Sequence, residues 1–367
     1  MQTTEATASR AVDLASAIAA PLAPLTTLGL GGPAESLMTV EHEDELVDAV
    51  READAREQAT LLMAGGSNLV IADAGFPGLV IRVATRGIDR GNSSLTVQAG
   101  EEWDRVVAEA VSSGLAGVEC LSGIPGSTGA TPIQNVGAYG QDVSATVSAV
   151  RVLDRRTGAV EELPPEACGF AYRSSAFKGR TRHAVLAVTF ALVESAQAEP
   201  IRYAELARAL DVDVGERPPL PEVREAVLAL RRGKGMVIDP DDPDTVSAGS
   251  FFMNPILEAP DFASLRARAA ERLGPDAGPP AFPEPDGRVK TSAAWLIERA
   301  GFSKGYGDGR IGISTKHALA LVNRGGGTTA ELVALAREIA DGVREVFGVG
   351  LRPEPTLVGV SLDRAGR

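Results

Sequence analysis

Hydrophobic and polar positions in the first half of the chain alternate between strand-length runs and helical spacing. Four apolar runs of strand length are bounded by turn-forming residues, at 36–40, 60–66, 78–83 and 94–100. In 44–58, Leu46, Val47 and Val50 share one helical face, and 103–114 repeats that pattern with Gly114 as a stop. Because strands and helices do not alternate regularly, the pattern predicts an α+β fold rather than a series of βαβ units.

The middle of the chain is predicted to hold a β-hairpin followed by a boundary. Residues 147–163 form two strand patterns around a turn at 156–158. The stretch 194–245 is rich in Pro and Asp around one predicted helix at 222–233. This composition is typical of a transition between domains.

The helix predicted near the C-terminus has clear start and stop signals. Thr328 and Glu331 have the spacing of a capping box, and Gly348 follows the last apolar position. Its apolar stripe consists of Leu332, Leu335, Ile339, Val343 and Val346. A shorter helix is predicted at 293–301, and a loop with a short strand at 351–362.

Composition narrows the possible functions. The 367 residues allow two or three domains, and the net charge of −13 argues against a nucleic-acid-binding surface, which needs clustered Lys and Arg. Cys120 and Cys168 are too few for a disulfide scaffold and fit a reducing cytosol. His42, His183 and His317 stand too far apart to show metal-ligand spacing, so we expect no metal.

The N-terminal segment does not have the pattern of a secretory signal. Glu5 and Asp13 interrupt its Ala-rich run, and no basic region precedes it. The nearest approach to a membrane span, at 184–193, has only the length of a strand. We therefore expect a cytoplasmic protein.

Two glycine-rich segments, 64–70 and 121–140, follow strand-like runs and carry no charged side chain. Glycine lets the main chain approach a ligand closely, so several N–H groups can hold a phosphate without cationic side chains. Asn68, Gln134 and Asn135 add side-chain amides. Neither segment is a GxGxxG turn that opens a long helix, so a Rossmann site is poorly supported. For either segment alone, a tightly packed buried turn is the favoured alternative.

Five segments in series carry a family resemblance. In chain order they are GGSNLVIADAGFPGLVI, GIPGSTGATPIQNVGAYG, CGFAYRSSAFKG, SAGSFFMNP and KTSAAWLIERAG. Together they resemble the UDP-N-acetylenolpyruvoylglucosamine reductase (MurB) family over residues 26–359. The resemblance implies a two-part FAD-binding unit of the vanillyl-alcohol-oxidase (PCMH) type plus a smaller α+β substrate-binding domain. It divides the chain into FAD-binding subdomain 1 (20–90 with 350–367), FAD-binding subdomain 2 (91–240) and the substrate-binding domain (245–348).

The resemblance also implies an activity. Family members bind FAD and use NADPH to reduce UDP-N-acetylglucosamine enolpyruvate to UDP-N-acetylmuramate, a peptidoglycan precursor. The partners implied are the UDP-sugar enolpyruvyl ether and NADPH, with no nucleic acid and no membrane, and the implied state is a monomer. The implied FAD-binding residues lie in the two glycine segments: Gly65, Gly66, Ser67, Asn68, Leu69, Gly123, Ile124, Pro125, Gly126, Gly129, Asn135, Gly137, Ala138 and Tyr139.

Three residues match the catalytic positions of the family. Reducing an enol ether conjugated to a carboxylate requires a hydride at one carbon, a proton at its neighbour and stabilisation of the enolate. By resemblance, Ser250 is the proton donor, Arg173 stabilises the enolate through its two-pronged guanidinium, and Glu354 supports the enol intermediate. Without the family, these would be a serine in a strand turn, a surface arginine and an exposed tail acid.

Five further residues match substrate-binding positions: Tyr203, Arg231, Lys234, Asn254 and His317. Tyr203 and Lys234 match the positions that hold the UDP diphosphate in the longer branch of the family. Asn254 and His317 match positions near the nucleotide or the sugar. Arg231 and Lys234 also fall at the end of a predicted helix, where cations suit the macrodipole, so helix capping is an alternative for this pair.

Two other functions stay open at the level of sequence. One is another flavin oxidoreductase of the same cofactor fold, and the other is an inactive UDP-sugar-binding regulator. The SAGSFF and RPEP segments favour the reductase over the first. The joint presence of Arg173, Ser250 and Glu354 speaks against the second.

Overall fold

The computed structural model describes residue 14 and residues 17–363. Most of the N-terminal segment, for which no secretory signal is predicted, lies outside the described residues, as do residues 364–367 of the predicted 350–367 segment. The α-helices of the described part are α1 Glu43–Ala55, α2 Trp103–Ser112, α3 Ala204–Leu210, α4 Leu220–Gly233, α5 Ala259–Leu273, α6 Ala293–Arg299 and α7 Thr329–Phe347.

The β-strands of the described part are mostly short. They are β1 Ile18–Pro21, β2 Pro33–Val40, β3 Thr60–Met63, β4 Leu69–Ile71, β5 Phe76–Val83, β6 Ile88–Arg90, β7 Ser94–Gln98, β8 Leu115–Ala116, β9 Gly137–Ala138, β10 Gln141–Asp142, β11 Val147–Asp154, β12 Ala159–Leu163, β13 His183–Ala191, β14 Val193–Glu194, β15 Ser247–Ser250, β16 Ile256–Leu257, β17 Phe282–Pro283, β18 Val289–Lys290, β19 Ile311–Ile313, β20 Ala320–Asn323 and β21 Thr356–Val358.

The chain divides into two compact units, each with its own hydrophobic core. Of the described residues, unit 1 contains residue 14 and residues 17–20, 33–65 and 76–231. Unit 2 contains residues 21–32, 66–75 and 232–363. The first glycine-rich segment is therefore divided between the units, after Gly65. The finer division into two FAD-binding subdomains and a substrate-binding domain stays a prediction.

Unit 1 is built on two sheets. The four-stranded sheet has the order β1-β2-β5-β3, with β2 and β3 parallel to β5. The helix α1 follows β2 and buries Leu46, Val47 and Val50, as its spacing predicts. The five-stranded antiparallel sheet has the order β12-β11-β13-β7-β6, and its hairpin β11–β12 turns at the predicted position. Both sheets have strands from the first half of the chain, which confirms the α+β prediction there.

Unit 2 contains the antiparallel sheet β15-β20-β19 and the helices α5, α6 and α7. The predicted capping box of α7 is present: Thr328 Oγ1 accepts from the Glu331 amide at 3.2 Å, and Glu331 Oε2 accepts from the Thr328 amide at 2.8 Å. Gly348 ends the helix in the left-handed conformation, with φ of +73°. Strand β21 lies parallel to β4, which brings the C-terminal segment beside the end of the first glycine-rich segment.

The expectation of one helix within 194–245 was wrong, because α3 precedes α4 there. The helix α3 has seven residues and buries only Leu206 and Ala207, which is too short a stretch for helical periodicity to be visible. The helix α5 was not predicted either. It buries Phe262, Leu265 and Ala269.

Candidate functional site

The two glycine-rich segments meet in unit 1. The Gly65 amide donates to Ser127 Oγ at 3.1 Å. A Cβ atom on Gly65 would lie 2.9 Å from the Cα of Gly126, a distance that real Cβ atoms essentially never show. The two main chains can approach this closely only because Gly65 has no side chain. The two segments in which the sequence predicts a phosphate cradle are therefore in contact at Gly65 and Gly126.

The rest of the first segment lies in unit 2. The carbonyl of Gly66 accepts from the Thr27 amide at 3.3 Å, and the carbonyl of Asn68 accepts from the Thr356 amide at 2.9 Å. Leu69 begins β4. Ser67 and Asn68 are thus held in the turn that enters this strand.

The carboxylate of Asp104 holds the start of the second glycine-rich segment. It accepts from the Gly123 amide at 2.6 Å and from two nitrogens of Arg224 at 2.7 and 2.9 Å. Burial alone would raise the pKa of Asp104, but the hydrogen bonds from Arg224 and Gly123 outweigh burial and lower it. Asp104 therefore stays ionised and ties this loop to α2 and α4.

The same segment continues through a short 3-10 turn at Thr128–Ala130, next to the residues that precede α2. The Thr128 amide donates to the carbonyl of Glu101 at 2.8 Å, and the Gly129 amide donates to the carbonyl of Ala99 at 2.9 Å. Three other predicted FAD-binding residues lie in the same loop: Ile124, Pro125 and Gly126. Hydrogen bonds between main-chain groups thus fix much of this loop.

The segment ends in the β9–β10 hairpin, which carries Gly137 and Ala138. Its two turn residues, Tyr139 and Gly140, have φ of +48° and +86°, the left-handed pair typical of a two-residue hairpin. Burial raises the pKa of the Tyr139 phenol to about 12, against an opposing effect of Arg231. Tyr139 is therefore a neutral hydrogen-bonding group at physiological pH.

Asn135, just before the hairpin, uses both ends of its side-chain amide within unit 1. Its Nδ2 donates to the carbonyl of Ala171 at 3.1 Å, and its Oδ1 accepts from the Ser144 amide at 3.1 Å. The side chain thus holds the backbone together, and any contribution of Asn135 to a ligand would come from its main chain.

Arg173 lies along the same hairpin. Its Nη2 donates to the carbonyl of Gly137 at 2.5 Å, its Nη1 donates to the carbonyl of Asn135 at 3.4 Å, and Nη1 is 3.5 Å from Asp142 Oδ1. Its guanidinium carbon is 5.4 Å from the centre of the Tyr172 ring. Arg173 itself has a φ of +51°, an uncommon conformation for a side chain of this size. The predicted enolate stabiliser is therefore fixed beside the predicted cofactor loop, within unit 1.

Ser250 and Glu354 are brought together in unit 2. The Phe251 amide donates to the carbonyl of Leu319 at 2.7 Å, and the Glu354 amide donates to the carbonyl of Phe251 at 2.8 Å. Phe252 and Pro353 form an isolated antiparallel bridge. The RPEP segment therefore lies along the end of β15, so the main chains of Glu354 and Ser250 are near each other in the fold.

The surroundings of Ser250 combine an open side with a packed side. Gly249 has a φ of +71°, and an added Cβ would have no atom within 4 Å. Phe251 and Phe252 are buried with their rings 5.1 Å apart in an edge-to-face arrangement. The strand is thus anchored in the core of unit 2 while space remains beside Gly249.

Tyr203 and Arg231 lie in unit 1, close to the β9–β10 hairpin. The rings of Tyr139 and Tyr203 are 5.6 Å apart, edge to face, and Tyr203 is half-exposed. Arg231 is buried, and loss of hydration lowers the pKa of its guanidinium to about 10, although Tyr139 and Asp104 counteract this. It remains protonated at neutral pH, as a positive charge facing Tyr139 and Asp104.

Lys234, Asn254 and His317 lie in unit 2. Asn254 Oδ1 accepts from the Ala293 amide at 3.0 Å at the start of α6. The His317 amide donates to Ser314 Oγ at 3.2 Å. The turn of His317 is also fixed by Asp244, whose carboxylate accepts from the amide and the hydroxyl of Thr315 at 2.9 and 2.5 Å.

Sequence reasoning missed the carboxylates that hold these loops, Asp104 and Asp244. Both are acids at polar positions, and their partners are distant in the sequence, so the chain offers no local signal that distinguishes them from surface acids. Within residues 17–363 and residue 14, no group of three or more His, Cys, Asp or Glu could hold a metal. In the same part of the chain, no helix is long and apolar enough to span a bilayer.

The glycine segments fit the group that the resemblance implies. Gly65 and Gly126 let the two main chains come close together, and the Asp104 carboxylate holds the start of the second segment. The backbone amides of such glycine-rich loops suit a pyrophosphate. The residues present therefore fit FAD.

Comparisons with known proteins agree with this arrangement. A family profile described as "FAD binding domain" matches residues 34–164, and one described as "UDP-N-acetylenolpyruvoylglucosamine reductase, C-terminal domain" matches residues 241–358. The two matches confirm the predicted class of an FAD-binding part followed by a smaller domain.

Whole-length relatives carry the same name. The UDP-N-acetylenolpyruvoylglucosamine reductase of Thermobifida fusca (strain YX) is 59% identical over 347 residues, which cover 93% of this chain and 98% of the relative. That of Streptomyces coelicolor is 58% identical, over 94% of this chain and 90% of the relative. The crystal structure of the enzyme from Thermus caldophilus superposes with a TM-score of 0.63 at 27% identity, over 93% of this chain and 98% of that one. The chain belongs to the UDP-N-acetylenolpyruvoylglucosamine reductase family.

Proposed function

We propose that this chain reduces UDP-N-acetylglucosamine enolpyruvate to UDP-N-acetylmuramate in the synthesis of peptidoglycan precursors. It is a flavin-dependent oxidoreductase, with FAD as the bound cofactor and NADPH as the hydride donor. The identity of 59% to a reductase over nearly the whole chain supports this activity, and so does the FAD-binding-domain match.

One observation carries the assignment of the catalytic groups: the Glu354 amide bonds to the carbonyl of the residue after Ser250, at 2.8 Å. Ser250 and Glu354, which are distant in the sequence, are thus carried by neighbouring stretches of main chain in unit 2.

Each group has a distinct role in the proposed mechanism. Bound FAD supplies the two-electron relay between NADPH and the enolpyruvyl double bond. Hydride addition at one carbon leaves negative charge on its neighbour and on the conjugated carboxylate. Arg173 stabilises that charge with its guanidinium, whose planar fork matches a carboxylate. Ser250 Oγ donates the proton to the neighbouring carbon, and Glu354 supports the enol form together with Arg173.

The remaining assignments concern binding. Arg231 is a buried cation beside Tyr139, and Tyr203 is half-exposed at the same hairpin, which suits both to the charged part of a nucleotide sugar. Lys234, Asn254 and His317 complete the proposed substrate set from unit 2. The burial of Arg231 favours this role over simple helix capping.

The proposal extends to the setting of the reaction. Because NADPH and UDP sugars are metabolites of the cytoplasm, we place the enzyme there, acting as a monomer. The overall charge of −13 supports the absence of a nucleic-acid partner.

Separate measurement of the two half-reactions tests the proposal. Purified holoenzyme is expected to bleach its flavin absorbance with NADPH without oxygen and to recover it with the enolpyruvyl UDP sugar. Ser250→Ala should leave bleaching near normal and slow recovery by about 10²–10⁴-fold, because a general acid is lost. Ser247→Ala, in the same strand, removes the hydroxyl that accepts from the Gly249 amide at 3.2 Å and so reports damage to the strand itself.

Each outcome decides between the candidate functions. Recovery with an alcohol-derived product but not with the UDP sugar would indicate another flavin oxidoreductase. Binding of the UDP sugar without recovery would indicate a regulator. Equal slowing by the Ser250 and Ser247 variants would remove the proton-donor role.

A further inference from the structure

Glu119 is a fully buried carboxylate in unit 1 that none of the assigned roles uses. Three amides converge on it: the Gly117 amide at 2.6 Å, Gln141 Nε2 at 3.0 Å and the Glu199 amide at 2.8 Å. Burying a carboxylate is costly unless its oxygens are hydrogen-bonded. A side chain that only accepts hydrogen bonds is suited to a point where three donors meet.

The three donors belong to three separate segments. Gly117 precedes the second glycine-rich segment, Gln141 lies on β10, and Glu199 begins the segment that leads to Tyr203. Gln141 is held at both ends of its amide, because its Oε1 accepts from the Cys120 amide at 2.8 Å. Glu119 and Gln141 therefore form a clasp on one strand of the β9–β10 hairpin.

The other strand of that hairpin contacts Arg173. In the hairpin register, Gln141 pairs with Ala138 and Asp142 pairs with Gly137. Arg173 Nη2 donates to the carbonyl of Gly137, and Nη1 is 3.5 Å from Asp142 Oδ1. A shift of the hairpin at Gln141 would therefore also move the Gly137 carbonyl and the Asp142 carboxylate, the two groups that orient the Arg173 guanidinium.

We propose that Glu119 is a positioning residue for Arg173, acting through Gln141 and the β9–β10 hairpin. The inference rests on the proposed function, in which Arg173 meets the carboxylate of the substrate. Displacement by about 1 Å can cost about 10²-fold in rate, so a rigid clasp on the hairpin has a direct catalytic consequence.

Glu119→Gln is a sharp test because glutamine cannot satisfy the same three donors. If its oxygen faces Gly117, its NH2 group opposes the amide of Glu199. If its oxygen faces Glu199, the NH2 group opposes the amide of Gly117. Either orientation leaves a buried donor unpaired and loosens the clasp.

In the holoenzyme, Glu119→Gln should slow the recovery half-reaction by about 10–100-fold and leave bleaching by NADPH near normal. Its effect should be non-additive with that of Arg173→Lys, so the double variant recovers no more slowly than Arg173→Lys alone. Asp154→Asn is the matched control. It also alters a fully buried carboxylate of unit 1, but one that accepts from Arg182 and from the Arg156 amide instead of from the β9–β10 hairpin.

A binding measurement adds a readout that general loss of stability would not change. The ligands to compare are UDP-N-acetylmuramate, which has a carboxylate, and UDP-N-acetylglucosamine, which has none. In the oxidised Glu119→Gln holoenzyme, the ratio of the affinity for the first to the affinity for the second should fall about tenfold. If Glu119→Gln does not fold, Gln141→Leu, at a partly exposed position, should give the same shift in preference.

The outcomes separate this inference from the function on which it rests. Additive effects of the Glu119 and Arg173 variants, or an unchanged preference between the two UDP sugars, would overturn the positioning role and leave the reductase assignment intact. Failure of the unaltered holoenzyme to recover with the enolpyruvyl UDP sugar would overturn the function itself.

Discussion

The amide nitrogen of Glu354 lies 2.8 Å from the carbonyl oxygen of Phe251, which sets the acid of the C-terminal segment in register with the strand of Ser250. Pro353 and Pro355 flank the glutamate and restrict its backbone to extended conformations. The main chain that carries the carboxylate is therefore held beside the strand of Ser250.

For Glu354→Gln we expect recovery of the flavin by the enolpyruvyl UDP sugar to slow by about 10²-fold, because the amide keeps the shape but not the charge or the proton. Bleaching by NADPH should remain near normal. Stopped-flow absorbance of both half-reactions measures this, with Glu345→Gln on the exposed face of α7 as the control. Recovery at the unaltered rate would mean that Glu354 has only a structural role.

Arg173→Lys should keep a positive charge but lose the geometry that the hairpin fixes. Lysine has one ammonium group and cannot bond to the carbonyls of Gly137 and Asn135 while presenting a planar pair of donors. We expect kcat to fall by about 10²-fold, the cost of losing a donor to a developing anion. Steady-state kinetics of holoenzyme with matched FAD content checks this, and an unchanged kcat would remove the assigned role.

Features that depend on residues close together in the sequence were predicted, whereas features that depend on distant residues were not. The helix α7 was predicted with its ends because each end depends on local residues: Thr328 and Glu331 form the capping box at its start, and Gly348 ends its last turn. The assignment of Gly65 to one unit and Ser67 to the other had no local signal, since it depends on strands that pair far along the chain. Long-range pairing is what single-sequence patterns do not contain.

Buried acids make the same point for the candidate site. Asp104 bonds to Arg224, which lies 120 positions away, and Glu119 bonds to the Glu199 amide, 80 positions away. In the sequence, an acidic residue that faces water cannot be told from one whose carboxylate accepts hydrogen bonds from three amides. The family resemblance supplied the candidate catalytic groups, whereas the acids that hold the loops around them emerged only from the fold.

The stability of unit 1 should depend on pH through Asp154. The hydrogen bonds from Arg182, and then from the Arg156 amide, lower the pKa of this carboxyl from 3.8 to about 2. Because the folded pKa lies below the unfolded one, the stabilisation is complete above the unfolded value. It is lost as the pH falls from about 4 to about 2.

Asp154→Asn removes that titration. The difference in free energy of unfolding between the unaltered protein and Asp154→Asn should therefore be constant above about pH 5 and shrink as the pH falls below about 4. Urea unfolding at a series of pH values measures it. A difference that does not vary with pH would show that Asp154 does not exchange its proton on unfolding in this range.

The contact between Gly65 and Gly126 gives a direct test of the cofactor cradle. In Gly65→Ala, the new Cβ would lie 2.9 Å from the Gly126 Cα, so one of the two main chains must move. Overpacking of this kind costs about 1–3 kcal/mol. If the two segments together form the pyrophosphate site, FAD binding should weaken by roughly tenfold or more, since 1.4 kcal/mol is a factor of ten. Titration of the apoprotein with FAD, followed by flavin fluorescence, measures the change.

Gly278→Ala is the matched control, because a Cβ there has no atom within 4 Å and the residue is exposed. It should leave both the FAD affinity and the melting temperature unchanged. A Gly65→Ala protein that melts at a lower temperature but binds FAD with the original Kd would show that the segment is a packed turn. In that case the pyrophosphate must be held by other amides, and the role of Gly65 would be to bring two main chains together for the fold alone.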